Sequence, residues 1–268
     1  MPNDNLAAIL QQYGFSFVKL PRPNLEVLQL MAKDPEGYLM KIGNIQDLFL
    51  QRYMAYPSIL EEMPVPQELS DNKSNKTEAS VGIKLLSGIL PQPASVATAF
   101  DSAASIAFSF KDATMDEVNL IQLNKFLNDA DVDKNAGGYS DQVTNSEIYI
   151  ITHVLKSKHF TVEALNSNGL SMDLEGPEIQ DVLSANAKLK REKQSSAKMT
   201  YESEDPLVFG IKAARLIYNR GSWFWGREKA GFKIEAQPGA IVRSSEQIQV
   251  NLFVDENDDP FVDIKMPD

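Results

Sequence analysis

The feature that most limits what this chain can become is a two-residue alternation of apolar and polar side chains, recurring along its length. Val81, Ile83 and Leu85 alternate with Ser80, Gly82 and Lys84, and Ile106, Phe108 and Phe110 alternate with Ser105, Ala107, Ser109 and Lys111. Successive side chains of a strand point to opposite faces, so this period belongs to strands that bury one face. Residues 148–155, with Ile148 and Ile150, and residues 160–165, with Phe160 and Val162, read as a further strand pair. The tight basic stretch Lys156-Ser157-Lys158-His159 joins them. Residues 199–202 and 207–218 complete the strands.

Elsewhere the chain is punctuated. Asp4 is placed to cap a short helix ending at Gly14, and a brief strand follows at Phe15, Phe17 and Leu20, terminated by Pro21 and Pro23. Residues 25–31 and 38–42 read as two strands around Asp34-Pro35-Glu36-Gly37. Residues 57–78, rich in Pro, Ser, Asn and charge, read as a loop. Thr114 is suited to cap a helix over 115–128, where Val118, Ile121, Leu123 and Leu127 fall near helical spacing. Residues 183–193 read as another helix, ending in the basic cluster Lys188, Lys190, Arg191 and Lys193. Strands and helices without regular βαβ spacing predict an α+β fold: a twisted, mostly antiparallel central sheet with flanking helices.

Composition removes several function classes. The chain has no cysteine, which excludes disulfides, thiol catalysis and thiolate metal sites. A net charge of -11 argues against nucleic acid as main partner, because phosphate binding needs a basic surface. No run of roughly 18 apolar residues predicts a transmembrane helix, and Met1-Pro2-Asn3-Asp4-Asn5 lacks a secretory signal's features, so a cytoplasmic protein is expected. Asp129, Asp131 and Asp133 open like a calcium loop, but position six is Lys134 and position twelve Ser140, where glycine and glutamate are needed. His153 and His159 are the only histidines, and neither a serine triad elbow nor a phosphate loop is present. The reading is therefore of a protein that is not an enzyme, with no catalytic residue, cofactor or metal.

The last 25 residues differ from the rest. Seven acids and one base, Lys265, put six of the eleven net negative charges between Ser244 and Asp268. Ile248, Val250, Leu252 and Val254 nevertheless fall on alternate positions, and Phe261, Val262 and Ile264 follow. An acidic solubilising tail has no need of these side chains. Burying four or five of them at roughly 1.5–3 kcal/mol each would dock the segment. It reads either as the last strand of the fold or as a detachable tail, and the polar stretch before it, with Arg243, Ser244 and Gln247, is open to a protease.

From Tyr13 the sequence YGFSFVKLPRPNLEVLQL, then SVGIKLLSGIL from Ser80 and SAASIAFSFKD from Ser102, together resemble the bacterial gasdermins. The resemblance implies a gasdermin N-terminal-domain-like fold over residues 1–243 and a short C-terminal inhibitory peptide over 244–268. It implies activation by a caspase-like or trypsin-like protease, self-assembly into rings, and a β-barrel pore in the bacterial inner membrane that causes cell death in antiphage defence. Bacterial members often carry a lipidated cysteine near the N-terminus, and this chain has none. Residues of about 78–112 and 146–203 are then expected to form two membrane-spanning hairpins carrying Val81, Ile83, Leu85, Ile106, Phe108, Phe110, Ile148, Ile150, Phe160 and Val162. Strands of 9–11 residues cross a bilayer, although a half-buried soluble sheet shows the same pattern. Lys188, Lys190, Arg191 and Lys193 are expected at lipid headgroups. Ile248, Val250, Leu252, Val254 and Phe261 are expected to make the inhibitory contacts. The competing reading is a soluble interaction module whose C-terminal strand is exchanged for a partner's.

Overall fold

In a computed structural model the described residues are 10, 12–22, 24–33, 39–49, 55–66, 69, 75–78, 100, 102–130, 133, 147–172, 189–191, 198–219, 231–234, 261–262 and 264–265. They build one mostly antiparallel sheet of thirteen strands around two long ones, β8 (Ile148–Leu165) and β10 (Lys198–Asn219). β8 and β10 pair with each other along their length. On its other side β8 is lined by β2 (Gln29–Lys33), β7 (Thr114–Val118) and β6 (Ser105–Lys111). Beyond these lie β3 (Leu39–Asn44), β4 (Ile59–Pro64) and β5 (Asn75–Glu78). The far side of β10 carries β1 (Ser16–Arg22), β9 (Leu189–Arg191) and β11 (Gly231–Ile234). β12 (Phe261–Val262) and β13 (Ile264–Lys265) are parallel additions to β1 and β3.

One helix of ten residues, α1 (Leu120–Asp129), packs on this sheet, and a 3-10 turn at Ile45–Leu48 follows β3. Two hydrophobic clusters result. The first joins Leu30, Leu39, Ile148, Ile150, Ile151 and Ile211 to Leu123, Phe126 and Leu127 of α1. The second joins Leu10, Phe15 and Phe100 to Ile106, Phe108, Phe110, Phe160, Val162, Tyr201 and Phe209. β8 and β10 contribute to both.

The α+β, mostly antiparallel expectation is met, and several local expectations are corrected. Residues 156–159 are not a turn: they continue β8, which is one strand of eighteen residues. Residues 199–202 and 207–218 likewise belong to one strand, with Ser203, Glu204, Asp205 and Pro206 bulging between them. α1 starts five residues later than expected. Asn119, not Thr114, is its cap, its side chain accepting from the Gln122 amide, while residues 114–118 are the strand β7. Short polar side chains that reach the second or third free N–H of a helix define its start, and Asn119 does so directly.

The supposed loop 57–78 holds β4 and β5. The supposed helix 183–193 contains β9 at Leu189–Arg191, where pairing to β10 overrides helical spacing. Pro21 lies inside β1 rather than ending it. It is accommodated where the register to β10 shifts between Phe17 and Arg22, a stretch where the ladder is already interrupted. The segment expected as a strand over 25–31 is strand only from Gln29 onward; before it Val27 and Leu28 form a turn, Leu28 with a φ of 69°. The end of the first helix is as expected, with helical backbone at Leu10 and Gln12 and Gly14 at a φ of 73°.

Candidate functional site

The expected hairpin residues fall into two places. Ile106, Phe108 and Phe110 of β6 stand opposite Ala164, Val162 and Phe160 of β8, and Val162 and Phe160 stand opposite Met199 and Tyr201 of β10. All eight are buried. Phe110 stacks on Phe209 with ring centroids 3.9 Å apart and tilts against Phe160 at 6.1 Å, while Phe160 stacks on Tyr201 at 4.9 Å. Ile148 and Ile150 lie at the other end of β8, in the first cluster, opposite Leu216 and Ala214. The pairing expected between residues 148–155 and 160–165 is therefore overturned, because both stretches are the same strand. Its partners are β10 on one side and β2, β7 and β6 on the other. Val81, Ile83 and Leu85 lie outside the described residues.

A seam crosses the long strands where the basic turn was expected. β6 ends at Lys111 and β7 begins at Thr114, both paired to β8, with Asp112 between them at a φ of 52°. In β10 the register jumps from Glu202 opposite His159 to Leu207 opposite Ser157. The buried Ser157 hydroxyl fills the gap: it lies 2.7 Å from the carbonyls of Lys111 and His159 and accepts from the His159 amide at 3.1 Å. A side-chain hydroxyl takes over where the backbone ladder is interrupted.

A half-buried polar group sits on the β8–β10 ribbon. His153 lies 3.5 Å from Glu117, its Nδ1 is 3.0 Å from the Thr152 hydroxyl, and its ring meets Phe15 edge-on at 6.3 Å. Lys212, opposite His153, places Nζ 4.4 Å from the centre of the Phe15 ring. Burial, with the Lys212 charge beside it, lowers His153 from 6.5 to about 3. Glu117 alone would favour the charged ring, but it is half-exposed and loss of solvation outweighs it. Lys212 is lowered by the same burial, partly offset by Glu117. The group packs on the Phe15 ring from two sides of the ribbon, through His153 and Lys212. Among the described residues no cluster of three or more histidine, aspartate or glutamate side chains is placed to hold a metal. Asp129 ends α1, and Asp131 lies outside the described residues.

The C-terminal stretch meets the sheet at two edges. Phe261 and Val262 pair in parallel with Phe17 and Val18 of β1; Ile264 and Lys265 pair in parallel with Leu39 and Met40 of β3. One five-residue stretch thus covers the edges of strands that stand at opposite ends of the order β1-β10-β8-β2-β3. Of the expected inhibitory contacts, Phe261 is in β12, whereas Ile248, Val250, Leu252 and Val254 lie outside the described residues, as do Arg243, Ser244 and Gln247. Lys190 and Arg191 lie on β9 and not on a helix; Lys188 and Lys193 lie outside. Sequence reasoning missed the β4 edge and the pairing of 264–265. The only signal for β4 was Ile59-Leu60 amid polar residues, too short to show a period.

A model of the bacterial gasdermin family matches residues 18–224. Gasdermin bGSDM of a Desulfuromonadales bacterium is 29% identical over 224 residues, covering 82% of this chain and 84% of that protein. Gasdermin bGSDM of a Vitiosangium species is 30% identical over 243 residues, covering 89% and 88%. The structure of a bacterial gasdermin from Bradyrhizobium tropiciagri superposes with a TM-score of 0.62 at 18% identity, covering 98% of this chain and 97% of that one, a likeness of fold. The chain belongs to the bacterial gasdermin family, whose members are pore-forming proteins and not enzymes.

Proposed function

We propose that this chain is an autoinhibited pore-former whose C-terminal segment, residues 244–268, is removed by a protease from a pore-forming domain, residues 1–243. The freed domains assemble in the bacterial inner membrane, open a β-barrel pore and kill the cell in antiphage defence. The observation that carries this reading is the contact at β1 and β3: among the described residues, Phe261–Val262 and Ile264–Lys265 pair in parallel with two sheet edges. A contact between segments joined only by the chain holds while the segment is attached and is lost by dilution once it is cut free. Family membership supports the pore itself.

The cut falls between Gly239 and Asn251, at Arg243 for a trypsin-like or caspase-like protease, with Ser244 and Gln247 in the same polar stretch. The intact chain is cytoplasmic, and the cut one is at the membrane. Residues 78–112 and 146–203 form the barrel hairpins, and Lys188, Lys190, Arg191 and Lys193 meet anionic headgroups. β8 supports this with eighteen residues, fourteen of them already paired to β10, ample for a crossing that needs 9–11.

The test is a full chain with a specific protease site engineered at residues 243–244, mixed with dye-loaded vesicles of phosphatidylethanolamine and phosphatidylglycerol. The intact chain should leave them sealed and the cut chain should empty them, with rings visible by electron microscopy. A cut chain that stays a soluble monomer beside sealed vesicles overturns the pore and favours strand exchange with a partner protein. The short edge pairings of β12 and β13 would serve that reading as well.

A further inference from the structure

β4 pairs with β7 on one side, and among the described residues nothing pairs with the other. Ile59 is 38% and Leu60 44% exposed. Ser58 donates its N–H to the Gln122 side chain at 2.7 Å and accepts from the Asn119 N–H at 2.9 Å, which pins the first turn of α1 beside the start of β4. Ile121, in that turn, is 77% exposed. Three of the four exposed large apolar side chains among the described residues therefore gather at one corner, next to an unpaired strand edge. Such an edge invites addition of another strand.

The β1 edge lies at the far end of the same row of residues. Met63, Met115, Leu155, Gly210, Phe17 and Phe261 follow one another across β4, β7, β8, β10, β1 and β12. Two antiparallel steps separate β4 from β8 and two separate β1 from β8, and β12 is parallel to β1. All four strands thus run in one direction. A second copy standing alongside in the same orientation would bring its β4 to the β1 edge in parallel, as β12 now meets it.

The two segments also share a pattern. β4 opens Ile59-Leu60-Glu61, and the C-terminal stretch reads Phe261-Val262-Asp263. With Phe261 level with Phe17 and Val262 with Val18, the next position of β1 is Lys19. β1 carries Lys19 and Arg22 and no acid; β4 carries Glu61 and Glu62 and no base. In sequence, either segment has two apolar residues followed by an acid, and β1 has Phe17 and Val18 followed by the base Lys19.

We propose that the C-terminal stretch inhibits by strand mimicry: it occupies on β1 the place that β4 of a second copy takes once the stretch is gone. This rests on the release-and-assembly reading above. The contact joins two different surfaces of the chain, so it repeats head to tail and closes into a ring if the rotation allows. Seating Ile59 at the height of Phe261 shifts the row by about four residues, roughly 13 Å at ~3.3 Å per residue. Strands tilting around a ring require such a stagger.

The chain has no cysteine, so introduced pairs report cleanly. The full chain carrying the engineered protease site is made as Lys19→Cys and as Glu61→Cys. After cutting, a mixture of the two should give disulfide-linked dimers, while either alone, or the uncut mixture, should give none. Leu60→Asp, at an exposed position, should leave the melting curve of the intact chain unchanged. After cutting it should raise the concentration needed for half release of dye from phosphatidylethanolamine–phosphatidylglycerol vesicles by about tenfold or more. A synthetic peptide of residues 257–268 in excess should suppress both cross-linking and release by the cut chain, and the same peptide with Phe261→Asp should not. If the cut wild type assembles and leaks while Leu60→Asp matches it and positions 19 and 61 do not cross-link, mimicry is overturned and the pore stands. If the cut wild type neither assembles nor leaks, the pore reading falls and takes mimicry with it.

Discussion

Gly43 shows how closely one residue can be specified. Its φ is 157°, and a Cβ there would come within 2.6 Å of Asp47 Oδ2, the oxygen that accepts from the Asn44 amide at 2.7 Å to open the 3-10 turn. Gly43→Ala should cost about 1–2 kcal/mol, read as a lower urea midpoint, by straining the backbone and displacing that acceptor. In an Asp47→Ala background the further loss should be smaller, because the displaced acceptor is already gone. His153 makes a pH prediction. Unfolded, it titrates near 6.5; folded, at about 3. Between those values only the unfolded chain takes the proton, so its contribution is full above pH 6.5 and is lost as pH falls toward 3. His153→Gln should therefore lose less stability than wild type between about pH 7 and about pH 4.5 in urea unfolding curves. Equal losses would show that the carboxylates alone govern acid sensitivity.

Among the elements, β8 was the hardest to read from sequence, for a reason visible at Ser157. Alternation predicted both of its halves, but Lys156-Ser157-Lys158-His159 breaks the pattern and looks like a turn. In the fold that break is absorbed by neighbours far away in sequence: the bulge at 203–206 and the left-handed Asp112. No local signal carries that. Ser157→Ala should cost about 1–2 kcal/mol, since two part-buried carbonyls and one amide lose a shared partner. Amide exchange at His159 should quicken by more than at Thr161, which keeps its ladder on both sides; an equal change at both would argue against a local role. By contrast, the alternation of Ile106, Phe108 and Phe110 named the buried face of β6 correctly, because each residue reports its own side. β4 and β9 were misread because pairing, not their own composition, makes them strands. The two-edge contact of the C-terminal stretch was legible only as apolar residues in an acidic segment; which strands they meet depends on the whole sheet.

For the molecule as a whole, the stretch at 261–265 joins the two ends of a strand order whose hydrogen-bonded path otherwise runs through β10, β8 and β2. Separating the cut segment from the protein should lower the melting temperature by several degrees, and added peptide should restore it in proportion to the logarithm of its concentration. A melting temperature indifferent to the peptide would mean that the contact contributes nothing to the intact fold. Cutting the chain upstream alters none of these hydrogen bonds. It changes only how often the partner segment is at hand, from about millimolar while tethered to whatever the cell volume allows once free. Proteolysis of this protein would then act as a counting device. A few stray cuts are diluted but harmless, because lone domains find no neighbours, whereas a burst of cuts crosses the density at which neighbours outcompete the lost segment.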